Sequence, residues 1–267
     1  MKKTDISTPI GFILGIALMV IGMYSDQGYS IFWDPFSVVI TIGGSFAALL
    51  MSIPMSDAKK IGKVFIQSYK ESSESGMELI SSFSDLSKKA RREGLLSLED
   101  EINNLNDDFM KKGLQMVVDG IEPETIRDIL ELEIAETEDR HMTGASMFAT
   151  WGVYAPAFGM LGTLIGLIQM LGNLSDASTI ASGMGKALIT TIYGSILGNL
   201  FCNPTSDNLA KKAARETKVR EMMLEGILAI QSGVNPRIVE EKLVSYLEPK
   251  DRLAYIKKNS ENSEGVA

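Results

Sequence analysis

Four long apolar runs interrupt an otherwise mixed pattern of apolar and polar positions. They cover residues 8–24, 35–53, 147–174 and 181–201. A helix needs roughly 20 apolar residues to cross a ~30 Å hydrocarbon core; the last three runs reach this length, and the first is nearer the short limit of about 17. The pattern therefore predicts an all-α integral membrane protein with four transmembrane helices.

The first run follows Met-Lys-Lys, as the apolar part of a secretory signal would. The segment after it, MYSDQGYS at 23–30, has no small-residue cleavage pattern. We therefore expect this run to remain in the protein as an uncleaved first transmembrane helix.

Lysine and arginine indicate the orientation of the helices. The short connections at 25–34 and 175–180 contain neither residue type, and the positive clusters lie at 2–3, 59–63 and 211–215. Basic segments stay in the cytoplasm, so we expect both termini and the long segment after the second run to lie there. Lys186, near the outer end of the fourth run, is the exception, and we expect its side chain to extend to the interface.

This orientation divides the chain into four parts. They are transmembrane helices 1 and 2 in 1–53, a cytoplasmic helical insertion in 54–146, transmembrane helices 3 and 4 in 147–203, and a cytoplasmic helical tail in 204–267. The expected location is the cytoplasmic membrane, with several crossings.

Helical spacing of apolar residues continues through the insertion and the tail. The insertion is predicted to hold helices at 57–72, 76–93, 97–105, 107–119 and 123–146. Ser56-Asp57 is a predicted N-cap, Ser97 with Asp100 resembles a capping box, and Pro123 suits a helix start. In the tail, the fourth helix is predicted to continue to about residue 231, a short helix covers 235–247, and 257–267 is predicted to be disordered.

Small residues form a stripe on each of the last two transmembrane helices. Spacings of three and four place the members of each stripe on one helical face. The stripes consist of Gly152, Pro156, Gly159, Thr163 and Gly166 on the third run, and of Ala187, Thr191, Gly194, Gly198 and Cys202 on the fourth. Such stripes let membrane helices approach closely, which explains the glycines. Two threonines on matching stripes indicate, in addition, a polar spot where the stripes contact a further group.

Ionisable residues are missing where an ion carrier would need them. Apart from Lys186, the four runs contain no Asp, Glu, Lys, Arg or His. Ion pathways through membranes depend on such groups. If the protein moves ions, a partner helix has to supply the carboxylate, and this favours a hetero-oligomer over a self-sufficient transporter.

Charge and motifs exclude several other classes. The insertion holds 12 Lys and Arg against 20 Asp and Glu, which argues against nucleic acid as a partner. GMGK at 183–186 fails the phosphate-loop pattern because Ile180 and Ala187 replace the required Gly and Ser or Thr. The single Cys202 and single His141 do not suggest a metal site. We expect no enzymatic activity, no catalytic residues, no metal and no cofactor.

Three segments of the chain resemble a known family. They are WGVYAPAFGMLGTLIGLIQML at 151–171, ALITTIYGSILGNLFCNP at 187–204 and ARREGLLSLE at 90–99. Together with the four-helix layout, they resemble the motility protein A (MotA/PomA) family of flagellar stator subunits. The helix three and four pattern is shared with the ExbB/TolQ energisers.

The resemblance implies partners and a mechanism. Family members form a ring of five around a dimer of a B subunit, whose transmembrane helix carries an ion-binding Asp. H⁺ or Na⁺ flow through the complex drives the ring, and the cytoplasmic insertion pushes a rotor switch protein. The translocated ion would thus be a substrate of the complex, and lipid and further copies of the chain would be the remaining partners.

The resemblance also assigns residues. Thr163 and Thr191, with the adjacent Thr190, match threonines that face the B helix and line the ion path. Pro156 and Pro204 match prolines at the start of helix three and the end of helix four that matter for rotation. By alignment of GLLSLE, Arg91 and Glu99 match the rotor contact, and Arg92 is an alternative to Arg91. Helix packing is assigned to Gly152, Gly159, Gly166, Gly194 and Gly198.

Two other functions remain open at the level of sequence. An ExbB/TolQ-type energiser of an envelope partner shares the helix pattern, but that family usually has three spans. A structural membrane scaffold without transport would not require the threonines. The sequence also leaves open whether the ion is H⁺ or Na⁺.

Overall fold

A computed structural model of the chain describes residues 7–24, 28–69, 76–172 and 177–264. Within these ranges all regular structure is helical, and they contain no strand. The described residues fall into two compact units. One draws on Met1–Glu71 and Arg140–Lys212, and the other on Ser72–Asp139 and Ala213–Ala267. We call them unit 1 and unit 2.

The N-terminal helices of unit 1 contain an unexpected change of helix type. Helix α1 covers Ser7–Gly22, and a short 3₁₀ helix covers Tyr29–Phe32. The second apolar run then forms α2 (Pro35–Val38), a π-helical segment (Val39–Gly44) and α3 (Ser45–Ser52) without interruption. Asp34 caps α2, because its side chain accepts a 2.8 Å hydrogen bond from the Ser37 backbone N–H. Pro35 fits the first helical position because it needs no N–H partner there.

The next segment begins differently from the prediction. Pro54 caps α4 (Met55–Ala58), and α5 covers Ile61–Ser68. The predicted Ser56-Asp57 N-cap is wrong, because both residues lie inside α4 and the backbone after Pro54 is already helical. The predicted end of this helix at residue 72 lies outside the described residues.

The insertion then continues as short helices. Helix α6 covers Gly76–Glu93 and confirms the prediction. A 3₁₀ turn at Leu95–Leu98 leads into α7 (Glu99–Asn104), and α8 covers Asp108–Val118. The predicted capping box is wrong: the Ser97 hydroxyl donates to the Gly94 carbonyl at 2.6 Å instead. Burial of Leu98 in the core of unit 2 fixes this turn, so Ser97 lies one residue too early to cap α7.

The second half of the chain is dominated by long helices. Helix α9 covers Pro123–Leu171 in 49 residues, so the predicted helix at 123–146 and the third apolar run are one element. No helix-breaking residue separates them at 146–147, and Pro156 lies within the helix. Helix α10 (Ala177–Ser195), a second π-helical segment (Ile196–Cys202) and α11 (Asn203–Gln231) follow. The predicted end of the fourth helix near residue 231 is confirmed.

Two helices close the chain. Helix α12 covers Pro236–Val244 and is capped by the Asn235 side chain, and α13 covers Pro249–Glu264. The predicted disorder is therefore wrong for 257–264, while 265–267 lie outside the described residues. The buried Tyr255 side chain docks α13, and its hydroxyl donates to Glu240 Oε1 at 2.8 Å.

Three helical stretches are long and apolar enough to cross a membrane. They are Tyr29–Ser52, Pro123–Leu171 and Ile180–Gln231, whereas the apolar helix Thr8–Gly22 is shorter. In unit 1, α5 packs beside α9 and the second π-helical segment through an aromatic cluster formed by Phe65, Phe148, Trp151 and Phe201. In unit 2, the core consists of large apolar side chains, among which Ile80, Phe83, Leu114, Ile126 and Ile227 have no exposed surface.

Candidate functional site

The two stripes of small residues meet in a single interface between α9 and α10. A methyl group on Gly194 would lie 2.6 Å from the Ala155 carbonyl oxygen, and one on Gly159 would lie 3.0 Å from the Thr190 carbonyl oxygen. A methyl group on Gly166 would lie 3.1 Å from the Ala187 backbone nitrogen. These atoms belong to the backbone and cannot rotate away, so the helices are in direct backbone contact because the side chains are absent.

The second π-helical segment lies against Pro156. A methyl group on Gly198 would lie 2.9 Å from Pro156 Cδ and 2.9 Å from the Gly152 carbonyl oxygen. Proline has no N–H, so the Gly152 carbonyl lacks its usual hydrogen bond four residues along the helix. Pro156 is half-buried. Pro204 is exposed, as the second residue of α11 directly after the π segment. Thus both predicted prolines adjoin the same change of helix type.

Thr163 and Thr191 face each other across the interface. Their hydroxyl oxygens lie 2.9 Å apart. The Thr163 hydroxyl also lies 3.0 Å from the Gly159 carbonyl, and the Thr191 hydroxyl lies 3.4 Å from the Ala187 carbonyl. Thr163 is half-buried and Thr191 is exposed. Exposed apolar side chains surround this hydroxyl pair on both helices, namely Met160, Leu164, Leu167 and Leu188. The pair is therefore a polar spot on an apolar surface.

Thr190 does not share that surface. It has no exposed area, and its hydroxyl donates to the Ala187 carbonyl at 2.8 Å. A methyl group on Gly162 would lie 2.6 Å from the Thr190 methyl. The Thr190 carbonyl accepts a hydrogen bond of 3.4 Å from the buried Thr41 hydroxyl in the first π segment. Thr190 therefore lies at an internal packing position of this chain, and its assignment to the ion path stays a prediction.

Three further hydrogen bonds attach the stretch Tyr29–Ser52 to α9 and α10. Trp151 Nε1 donates to Ser45 Oγ at 3.1 Å, and the hydroxyls of Tyr154 and Ser52 lie 2.8 Å apart. Near the other end, the Tyr193 hydroxyl donates to the Phe32 carbonyl at 2.5 Å. The sequence analysis missed these contacts and Thr41. The only sequence signal was the presence of polar residues within apolar runs.

Arg91, Arg92 and Glu99 lie in unit 2 and are all exposed. The arginines occupy the last turn of α6, and Glu99 begins α7. Gly94 between them adopts a φ of 88°, a conformation that favours glycine and ends α6. The nearby Lys89 is engaged by Glu101 at 2.9 Å, and that hydrogen bond raises the pKa of Lys89. The charges flank a turn whose inner residue, Leu98, is fixed in the core.

Unit 2 also contains an ion-pair network around Glu225. Glu225 accepts hydrogen bonds from Lys242 and from Arg127, the latter at 3.3 Å. Burial works against its charged form, but the bond and charge of Lys242, with those of Arg127, hold the pKa of Glu225 below its usual value. Arg127 and Glu225 border a groove of about 430 Å³ that is also lined by Glu131, Glu138 and Glu221. Across the described ranges, no cluster of His, Cys, Asp and Glu is arranged to hold a metal ion.

Comparisons with known proteins match nearly the whole chain. The family model described as motility protein A N-terminal matches residues 9–94, and that of the MotA/TolQ/ExbB proton channel family matches residues 101–222. The chain is 46% identical over 249 residues to motility protein A of Borreliella burgdorferi, covering 93% of this chain and 96% of that protein. It is 37% identical over 244 residues to the chemotaxis protein PomA of Vibrio alginolyticus, covering 91% and 95%.

A solved structure shows the same fold. The flagellar MotAB stator complex from Bacillus subtilis matches with a TM-score of 0.88 at 37% sequence identity. The match covers 94% of this chain and 99% of that chain.

Proposed function

The chain belongs to the motility protein A family, and we propose that it is the A subunit of a flagellar stator that conducts ions together with a B subunit. The relatives are stator and channel proteins rather than enzymes. The ion, H⁺ or Na⁺, is the substrate of the complex, and the proposal includes no cofactor. The ring of five subunits and the contact with a rotor switch protein come from the family resemblance.

One observation carries the ion-conducting part of this proposal. The Thr163 and Thr191 hydroxyls lie 2.9 Å apart on a partly exposed apolar face, between two helices in backbone contact. Residues 147–171 of α9 contain no Asp, Glu, Lys, Arg or His. The hydroxyls can solvate an ion or a carboxyl group, but they cannot carry a charge at neutral pH. The charge carrier therefore has to be a carboxylate of the B subunit, whose helix would lie against this face.

The membrane arrangement completes the proposal. Four crossings place both termini in the cytoplasm, with α1 as a short first span and the insertion on the same side. One elementary charge crossing 100 mV releases roughly 2.3 kcal/mol, so strongly loaded motion requires several ions per step. Pro156 packs against the second π segment and Pro204 follows it in the chain, and we assign both prolines the hinge role, because a change of helical register there would move the threonine face.

Arg91 and Glu99 are proposed as the rotor contact. Both are exposed, and they lie on either side of a turn that the core holds in place. Exposed charges guide association more than they add affinity. Charge reversal of both residues should weaken swimming while the complex still assembles, and normal swimming would remove them from the contact. The same reversal at Arg92 distinguishes it from Arg91.

The experiment on the hydroxyl pair uses matched substitutions. Thr163→Val keeps the side-chain shape but removes the hydroxyl, whereas Thr163→Ser keeps the hydroxyl. Each variant is expressed with the B subunit in cells lacking their own A subunit, and swimming speed and ion flux are measured. We expect Val to assemble normally and to lose most of its flux, and Ser to retain it. Normal flux in the Val variant would show that the hydroxyl does not line the ion path.

An ExbB/TolQ-type energiser is the second candidate, because one matching family model includes those proteins. The match of residues 9–94 to the motility protein A N-terminal model favours the stator. Co-purification separates the two functions: a B subunit with a peptidoglycan-binding domain supports the stator, and a TonB-like partner supports the energiser.

A further inference from the structure

Helices α4 and α5 present two opposite faces. Residues 59 and 60 between them also have helical backbone angles, so helical spacing holds through the pair. One face carries Ile61, Val64 and Phe65, which pack in the aromatic cluster of unit 1. Phe65 lies 5.0 Å from Phe201 between ring centres, and a methyl group on Gly144 would lie 3.2 Å from Val64. Lys212 donates to the Ser68 carbonyl at the end of α5. The inner face is therefore firmly docked.

The outer face has an unusual composition for a surface in water. Spacings of three and four place Met55, Lys59, Gly62, Lys63 and Ile66 on it. The side chain of Met55 is 62% exposed and that of Ile66 is 59% exposed. We call these five residues the outer stripe. It combines two large exposed apolar side chains with two lysines and contains no carboxylate.

The two lysines of the outer stripe differ from the lysine beside them. Within the described ranges, neither Lys59 nor Lys63 forms an ion pair, whereas the adjacent Lys60 binds Asp57 at 2.9 Å. The local acidic residue is thus directed away from the stripe, and the two remaining ammonium groups are available to an external anion.

The position of the stripe indicates the source of that anion. Helix α4 begins three residues after Ser52, where a membrane-capable stretch ends. Met51, in the last turn of that stretch, is 89% exposed, so an apolar surface continues from the transmembrane helix towards the stripe. Helices with exposed apolar residues and lysines lie at the boundary between acyl chains and headgroups and favour anionic lipid.

We propose that the outer stripe is a binding site for anionic phospholipid. The ammonium groups of Lys59 and Lys63 hold the headgroup phosphate, while Met55 and Ile66 contact the first carbons of the acyl chains. Gly62 between the lysines leaves room for the headgroup, since no atom lies within 4 Å of the position a methyl group would occupy. The site is independent of ion conduction, so it can be tested in a complex that does not generate torque.

The test uses the full-length chain purified with its B subunit. Short-chain phosphatidylglycerol or phosphatidylcholine is titrated onto the complex, and bound lipid is counted by native mass spectrometry. We expect tighter binding of phosphatidylglycerol, and about fivefold or more weaker binding in a Lys59→Gln, Lys63→Gln double variant, based on the attraction of each lysine for an anionic surface. Lys59→Arg with Lys63→Arg should retain the binding. Lys218→Gln with Lys250→Gln, two exposed lysines of unit 2, should not change it.

The remaining outcomes overturn the proposal. Equal binding of phosphatidylglycerol by the wild type and the Gln variant would show that the stripe is not the site. Displacement by inorganic phosphate at equal concentration would identify a phosphate site without lipid character. Loss of self-association in the Gln variant, with lipid binding unchanged, would identify a second copy of the chain as the occupant of the stripe.

Discussion

The two units of this chain achieve close packing by opposite means. In unit 1, α9 and α10 meet where side chains are absent, and Gly194 lies against the Ala155 backbone. In unit 2, the core is filled by large side chains such as Phe83 and Ile227, which have no exposed surface. Lipid is as apolar as leucine, so membrane helices gain from close backbone approach instead of from burial. In water, burial of apolar area is the main driving force. Removing atoms should therefore damage unit 2, and adding atoms should damage unit 1.

The largest effect is expected from Phe83→Ala in unit 2. Removing a fully buried phenylalanine from a core costs about 3–5 kcal/mol, through lost burial and the cavity that remains. Unfolding of the purified protein by urea, followed by circular dichroism, measures the loss. Leu96→Ala is the matched control, because Leu96 is 73% exposed and should change stability by less than about 0.5 kcal/mol. Equal losses for the two variants would contradict the assignment of the core.

A smaller effect is expected from adding one methyl group to unit 1. Gly194→Ala places a carbon 2.6 Å from a backbone oxygen, so the helices must separate, at a cost of about 1–3 kcal/mol. Gly113→Ala in unit 2 is the comparison, because the nearest atom there is the flexible Ile227 Cδ1. In that variant the side chain can move, and better helix propensity offsets part of the cost.

Gly185→Ala controls for helix propensity within α10, since nothing lies within 4 Å of its added methyl group. Thermal unfolding of the three variants gives the ranking. The comparison between the units fails if Gly113→Ala is as damaging as Gly194→Ala.

The smallest effect concerns the charges of unit 2. The pKa of Glu225 is lowered in the folded protein, so its carboxylate stabilises the fold above the ordinary glutamate pKa, and this contribution is lost as the pH falls through the folded value. Glu225→Gln should cost about 1 kcal/mol at pH 7, and the difference should shrink below about pH 4.5. Urea unfolding at both pH values checks this. Glu131→Gln, which removes the more exposed partner of Arg127, should cost less. A difference that grows on acidification would refute the role of the carboxylate.

The sequence predicts the helices of this chain better than their internal details. Helix α6 follows from apolar spacing, because it buries one face, and the end of α11 coincides with the end of an apolar stretch, 222–230, that is buried almost throughout. The π segments leave no such signal, because they change the backbone hydrogen-bond register without changing the order of apolar residues. The capping box at Ser97 failed because a tertiary contact, the burial of Leu98, decided where α7 begins.

For the candidate site, too, the sequence predicts the general arrangement better than the position of single residues. The small-residue stripes were visible in the sequence, and the structure brings their glycines and Thr163 and Thr191 together. Thr190 and Thr191 differ by one position, or about 100° of rotation around the helix. That rotation separates a buried packing residue from an exposed hydroxyl. Sequence spacing places Thr191 and not Thr190 on the stripe, but it does not show that Thr190 is buried while Thr191 is exposed.

The Thr163 and Thr191 hydroxyls can form hydrogen bonds in two alternative arrangements, because they have fewer protons than oxygen contacts. Thr163 and Thr191 make three oxygen contacts, with each other and with the Gly159 and Ala187 carbonyls, but they have only two protons. When Thr163 donates to Thr191, the Thr191 proton can point outwards. When Thr191 donates to Thr163, the Thr191 lone pairs point outwards. Rotation of two O–H bonds thus turns the exposed Thr191 hydroxyl from a donor into an acceptor. The same pair can therefore donate a hydrogen bond to a carboxylate or accept one from its protonated form without movement of either helix.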